Sequence, residues 1–490
     1  MLYRIALALL LVATPALAQT SLEQGEYLAR AGDCFSCHTG TDKGAIPLAG
    51  GRQLQTPFGT LSSPNITPDK ETGIGLWTDD DFYKAMHDGI ARDGTLLYPL
   101  MPFDHYTKVT RADAMLIKAY LFSVPPVHAP RQESHLSFPY NIRESLAAWR
   151  LLFFKPATFV PDPARSAAEN RGAYLVEGLG HCGACHTPRN QMGASVKGAA
   201  LGGGEITGQG WFAPNISSDI HEGIGAWTDE QLIAFLKTGI TPGHAIAAGP
   251  MAETIHTSLR YLTDDDLHAI AAFLKVAPAK TLYAETTAPA PEGTALYLEH
   301  CGICHQPNGA GLKGAVPNLA GSGVVGAGGP DDVIRTILGG MSAHGSYAVM
   351  PGMATQLSPA EIAAIANYIR GAWGNTAPQT ATAGMVGTLA ASTQTMLSGT
   401  ASCDPVPPAL ASQLVGQGLE GINAGNMLEQ IPLILGHLPA ATAAEPKAEL
   451  VNGLIAAYCP IVAADTKLTP AARLEQLQEF AALAYAQVSK

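Results

Sequence analysis

Cys34-Phe35-Ser36-Cys37-His38 decides the fold, and it returns twice, as Cys182-Gly183-Ala184-Cys185-His186 and as Cys301-Gly302-Ile303-Cys304-His305. Two thiols at this spacing reach the two vinyl groups of one haem and form thioethers, and the adjacent imidazole meets the iron from one face. A single copy also fits a redox dithiol or half of a zinc site. Three copies, each closed by histidine, point to haem. They make Cys34, Cys37, Cys182, Cys185, Cys301 and Cys304 the attachment residues and His38, His186 and His305 the iron ligands.

Each motif is followed by a similar train of signals. Pro64-Asn65-Ile66 precedes Gly73-Ile74-Gly75-Leu76-Trp77-Thr78, and Pro214-Asn215-Ile216 precedes Gly223-Ile224-Gly225-Ala226-Trp227-Thr228. The third copy keeps Pro317-Asn318-Leu319 and lacks the Trp-Thr element. This is an internal repeat of three domains, the first two closest to each other.

Helix punctuation repeats with it. A helix is expected to lead into each motif, over 22–32, 168–178 and 294–300. A middle helix is expected after the N-cap residues Thr78 and Thr228, stopped by Gly89 and Gly239, and in the third copy between Pro330 and Gly339. A last helix opens on Thr110-x-x-Asp113, Thr263-x-x-Asp266 and Ser358-x-x-Glu361, each reading as a capping box. Apolar residues such as Ile362, Ile365, Ala366 and Ile369 then recur at helical spacing. No strong strand pattern is visible, so the class reads as all-α.

A histidine leaves the sixth iron position open. In each repeat a methionine is expected in a loop beside proline between the middle and last helices: Met101, Met251 and Met350, nine, twelve and eight residues before the capping box. A thioether there raises the potential and closes the iron to substrates; a methionine near haem can also simply pack on the ring. Met86 and Met115 lie on expected helices, and Met353 competes with Met350. His87, His105, His244, His256 and His344 are rivals that would give a bis-histidine site, while His181 and His300 read as packing or solvent-facing residues. An iron left five-coordinate would instead make a haem enzyme of peroxidase type.

The rest of the chain bounds the answer. Its 490 residues exceed one core. A net charge of −12 argues against nucleic acid as a partner. Arg4, the apolar run 5–12 and Ala16-Leu17-Ala18 read as a signal peptide over residues 1–18, which would place the mature protein in the periplasm, soluble or peripheral to the membrane. No later segment has the length and purity of a membrane span. The remaining cysteines, Cys403 and Cys459, are expected to pair in an exported chain. The Ala-, Thr-, Gly- and Ser-rich residues 377–402 read as a linker.

These motifs, with Phe138-Pro139-Tyr140-Asn141-Ile142-Arg143, Trp149-Arg150-Leu151-Leu152-Phe153-Phe154 and Tyr368-Ile369-Arg370-Gly371-Ala372-Trp373-Gly374-Asn375, resemble the three-haem cytochrome subunit of bacterial membrane-associated alcohol dehydrogenases and of related sugar and gluconate dehydrogenases. The resemblance runs from about residue 20 to residue 376. It implies three tandem domains of class I cytochrome c type. It also implies an electron-transfer subunit, not a catalyst on its own. Such a subunit takes electrons from a separate catalytic subunit, a quinoprotein, flavoprotein or molybdoprotein, and passes them through three haems to ubiquinone or another respiratory acceptor.

The expected division is 19–127, 166–280 and 281–376 for the haem domains, 128–165 for a strap, 377–402 for the linker and 403–490 for a small helical C-terminal domain. The strap has two readings. Its aromatics and leucines pack between the first two haem domains, or Trp149, Phe153 and Phe154 offer an apolar patch to a membrane surface or a quinone.

Overall fold

The computed structural model describes residues 14–488, apart from 43, 207, 242–244, 287, 313–314, 342–346, 348–349, 398–409, 411–412, 415–416 and 446. The expected signal peptide thus lies mostly outside the described residues, as do Cys403, His244 and His344. Two compact units divide the chain: residues up to 209 with 215–239 and 249–280, and residues 210–214, 240–248 and from 281 onward.

One steric device recurs in both units. In the first, helix Thr14–Ala31 packs on helix Arg111–Ser123, and helix Ala167–Tyr174 packs on helix Asp264–Val276. In the second, helix Thr294–His300 packs on helix Pro359–Gly371. Each contact is made at a glycine. A Cβ on Gly25 would lie 2.2 Å from the Leu116 carbonyl oxygen, one on Gly172 1.9 Å from that of Ala269, and one on Gly293 2.2 Å from that of Ala364. Only a bare backbone fits there. The contact holds the helix that delivers each Cys-x-x-Cys-His motif rigidly against the last helix of its repeat.

The middle helices form as their caps dictate. Asp79–Asp88 starts on a full capping box between Thr78 and Asp81 and stops at Gly89 in the left-handed conformation; Asp229–Thr238 does the same between Thr228, Gln231 and Gly239. The last helices of the first two repeats differ from expectation. Thr110 and Thr263 accept the N3 backbone N–H as N-caps should. The N3 carboxylates, however, turn to the other repeat. The Tyr174 hydroxyl donates to Asp113, and the Tyr27 hydroxyl donates to Asp266 at 2.5 Å. Arg171 adds two bonds to Asp266, both of 2.7 Å. The two repeats are therefore braced reciprocally, each offering a tyrosine from its first helix to the acid of the other's last helix.

The strap holds helix Leu146–Phe153. Trp149 is buried against Phe103 and Ala194, and its Nε1–H donates to the Met192 carbonyl at 3.0 Å. Leu151 and Leu152, on the other side, are 87% and 66% exposed. The inner face is thus a strap, and the apolar patch consists of the leucines and Phe153, with Trp149 turned inward.

The all-α expectation is corrected by small antiparallel sheets. Gln53–Thr56 pairs with Gly59–Ser62, which pairs in turn with His135–Leu136; in the other unit Ile240–Thr241 pairs with Ala245–Ile246. Strands of two to four residues are too short to display a period of two, which is why the alternation was invisible. A helix, Ala383–Leu397, also occupies the stretch expected to be linker. It packs on helices Asp331–Gly339 and Pro359–Gly371, and Ser392 and Thr393 take hydrogen bonds from Arg335.

In the same unit Arg370 is fully buried. Its guanidinium donates to the carbonyls of Val325, Ala327, Gly328, Gly329 and Pro378, and burial lowers its pKa to about 10. This one side chain closes the loop between Leu319 and helix Asp331–Gly339. The C-terminal helices Met427–His437, Lys447–Ala464 and Pro470–Val488 build a further core around Tyr458 and Phe480, whose rings stack at 4.2 Å. Cys459 is disulfide-bonded.

Replacing Arg370 by Met should cost at least about 3 kcal/mol, because several buried carbonyls lose their donor together; chemical denaturation measures it. At Asp266 burial acts to raise the pKa, and the bonds from Arg171 and Tyr27 outweigh it, leaving the carboxyl below its ordinary 3.8. A depressed folded pKa gives stability that is present above the unfolded value and lost as pH falls through the folded one. Asp266→Asn should therefore destabilise the first unit by about 3 kcal/mol at neutral pH and flatten its stability loss below about pH 4, read from denaturation curves across pH.

Candidate functional site

The three motifs form single turns of helix, Cys34–Cys37, Gly183–His186 and Gly302–His305. None of the six motif cysteines is joined in a disulfide. Desolvation pushes Cys34, Cys182 and Cys301 up to about 12 and Cys37 and Cys304 up to about 11. A redox-active dithiol needs the opposite shift, toward thiolate.

The histidines are held from behind. His38 donates its Nδ1–H to the Pro64 carbonyl at 2.8 Å, and His305 donates its Nδ1–H to the Pro317 carbonyl at 3.0 Å. A carbonyl only accepts, so the tautomer is fixed with the lone pair on Nε2, the nitrogen an iron would take. Burial lowers the pKa of both rings and keeps them neutral. His186 is buried, and Pro214 is the residue in the corresponding place of its repeat.

A backbone clasp supports this arrangement in all three copies. The N–H groups of Gly50, Gly203 and Gly311 donate to the carbonyls of His38, His186 and His305, at 2.8, 3.0 and 2.9 Å. These glycines have φ of 76°, 82° and 63°. A Cβ on Gly50 or Gly311 would strike the Pro64 or Pro317 peptide, so the turn both needs a positive φ and excludes a side chain. Two residues earlier, Leu48, Leu201 and Gly309 are also left-handed and accept from Ile66, Ile216 and Leu319, the residues that follow Pro-Asn. For leucine that conformation costs of order 1–3 kcal/mol, and the chain tolerates it twice.

Among the sixth-ligand candidates, Met101 lies in the turn leading into the short helix Phe103–Tyr106, with its carbonyl bonded to the Phe103 N–H. Met350 lies in a two-way bridge with Met341, both N–H···O distances being 2.9 Å. Met251 is placed differently from the expected loop. It sits in the first turn of helix Gly249–Thr257, whose Glu253 and Thr257 bind Arg52 and Asp33 beside the first motif. Met86 is buried, and Met353 packs against the core of the third repeat.

The histidine rivals have other engagements. His87 bonds Asp88 and His256 bonds Arg260; His181, expected to pack or face solvent, packs edge-on to Tyr106. His105 lies over Gly183 of the second motif, with Nδ1 on the Glu177 carbonyl at 3.2 Å and its buried Nε2 unpaired. An orphaned polar nitrogen against a haem motif fits a site built around a group with polar edges.

The Pro-Asn repeat is visible in the sequence, but the hold of the Pro64 and Pro317 carbonyls on the histidines is not. The clasp glycines are not visible there, because they follow the histidine by twelve, seventeen and six residues and so share no spacing.

A family model described as cytochrome c matches residues 290–373. The cytochrome c subunit of the quinone alcohol dehydrogenase of Gluconacetobacter polyoxogenes is 38% identical over 77% of this chain and 87% of its own length. The fructose dehydrogenase cytochrome subunit of Gluconobacter japonicus is 40% identical over 74% and 81%. A dihaem c-type cytochrome of Cereibacter sphaeroides is 38% identical over 52% and 86%. With its motifs, its clasped histidines and these relatives, the chain belongs to the family of dehydrogenase cytochrome c subunits, electron-transfer proteins that carry covalently bound haem c.

Proposed function

We propose that the chain carries three haems c, each joined to one motif, and relays electrons from a dehydrogenase catalytic subunit to a quinone or another respiratory acceptor on the periplasmic side of the membrane. Cys34 and Cys37, Cys182 and Cys185, and Cys301 and Cys304 would form the thioethers. His38, His186 and His305 would be the proximal ligands, and Met101, Met251 and Met350 the distal ones. The haem domains are taken as 19–127, 166–280 and 281–376.

The observation that carries this reading is the bond from each of His38 and His305 to a proline carbonyl, which presents Nε2 with its lone pair. Haem iron, when bound, supplies a reversible one-electron step. The chain's own part is to fix the imidazole tautomer, to hold the distal loop and to keep water from the iron. The packing of Met353 into the third core favours Met350 as the ligand there.

The named relatives serve alcohol and fructose dehydrogenases. This supports a dehydrogenase catalytic subunit as the partner, which we take to be a quinoprotein, a flavoprotein or a molybdoprotein. Among the described residues no helix is long and apolar enough to cross a membrane. The exposed Leu151 and Leu152 on helix Leu146–Phe153 supply an apolar surface for peripheral attachment.

Met101→Ala and Met350→Ala should each convert one haem from low-spin to high-spin and lower its potential, seen by electron paramagnetic resonance and redox titration; a spectrum that stays fully low-spin would place the ligand elsewhere. Leu151→Ser with Leu152→Ser should reduce cosedimentation of the full-length protein with phospholipid vesicles at least severalfold. Unchanged cosedimentation would remove this helix from the membrane contact.

A further inference from the structure

The C-terminal helices have a place in the site that no haem motif predicts. Pro317 follows His305 by twelve residues, whereas Pro64 follows His38 by twenty-six and Pro214 follows His186 by twenty-eight. In the first repeat the longer stretch folds back on itself as the hairpin of Gln53–Thr56 and Gly59–Ser62, which buries Leu61. The third repeat has no length for such a hairpin. Its short loop is closed tightly on itself instead, with Leu312 and Val316 exchanging N–H···O bonds of 2.9 and 2.8 Å. That closure presents Leu312, Ala315 and Val316 for packing by another part of the chain.

The cover comes from the far end of the chain. Ala315 and Val316 are buried in one core with Leu414, Met427, Leu454, Tyr458, Phe480 and Ala484, and Leu312 and Cys304 pack against that core. Helix Pro470–Val488 lies beside the motif helix Gly302–His305. Two consequences follow from covalent and hydrogen-bond geometry. Val316 immediately precedes Pro317, the acceptor of the His305 ring, so what holds Val316 also holds the acceptor. Cys304 carries a thioether to its haem, so what packs on Cys304 packs on that haem's edge. Ile303, on the same short helix, stays 57% exposed. The cover is therefore one-sided and leaves a direction open for a partner.

We propose that the C-terminal helices Met427–His437, Lys447–Ala464 and Pro470–Val488 are the outer wall of the third haem site, and that their task is to set its potential. They do so by fixing the His305–Pro317 hydrogen bond and by excluding water from the haem edge at Cys304. A dry, low-dielectric wall disfavours the more positively charged ferric state and raises the potential, and a fixed proximal acceptor keeps it constant. The inference rests on a haem at Cys301 and Cys304, as proposed above.

Two variants of the full-length protein test it. Phe480→Ala loosens the wall from within, far from the iron. Val316→Thr keeps shape and adds one hydroxyl at the contact. Redox titration should show the same single midpoint falling in both, by about 59 mV, a tenfold change in a one-electron equilibrium, in Phe480→Ala, and by less in Val316→Thr. Hydrogen exchange of the wall and of residues 315–317 should quicken in Phe480→Ala. Faster exchange with all three midpoints unmoved, or movement of more than one midpoint, would overturn the proposal. If Phe480→Ala yields no folded protein, Val316→Thr decides alone, an unmoved midpoint overturning it. Peptide mapping separates the two levels: a wild-type chain with no haem on Cys301 and Cys304 sinks the three-haem reading as well, whereas a haem there that ignores the wall sinks this inference only.

Discussion

In the first and third repeats the hydrogen bond from the motif histidine to a proline carbonyl is the constraint around which the rest is arranged. It settles which ring nitrogen carries the proton, and with that which nitrogen is left with a lone pair for a ligand. For the bond to form, the chain must turn back sharply after the motif and bring Pro-Asn under the imidazole. The left-handed glycines Gly50 and Gly311 make that return possible, and the asparagine then locks it: Asn65 caps Thr67 and reaches the Val127 carbonyl, and Asn215 does the same for Ser217 and Lys280. The strained Leu48 and Leu201 are part of the same turn. Their cost is offset by the hydrogen bonds and burial that the return makes available.

A second constraint carries the motif to this turn. The bare backbones of Gly25, Gly172 and Gly293 let the first and last helix of each repeat touch, so the cysteines are delivered by a rigid pair and not by a lone helix. In the first unit this rigidity extends across two repeats, because the tyrosines of the first helices bond the acids of the last ones. Electron transfer rewards such stiffness, since a relay works when its centres keep fixed spacing and little around them reorganises.

Much of this was legible in the residues, and the failures have physical reasons. The motifs, the Thr78 and Thr228 caps and the Gly89 and Gly239 stops act over three or four neighbours, so local pattern reveals them. The crossing glycines are single residues within helices, and nothing nearby marks them as contacts. The strands are too short to alternate visibly. Asp113 and Asp266 read as capping-box acids, yet their carboxylates serve tyrosines more than sixty residues away. Met251 was expected in a loop and lies on a helix, because Gly249 and Pro250 open a helix instead of ending a turn. The C-terminal core was readable as helical, while its partners Leu312, Ala315 and Val316 lie more than a hundred residues before its helices.

The most direct test of the account is the haem content and spin state of the purified full-length protein. Intact-mass spectrometry should show three haems added per chain, and electron paramagnetic resonance of the oxidised protein should show low-spin ferric haem throughout. Fewer than three additions, or a stoichiometric high-spin signal, would contradict a three-centre relay with histidine and methionine at each iron.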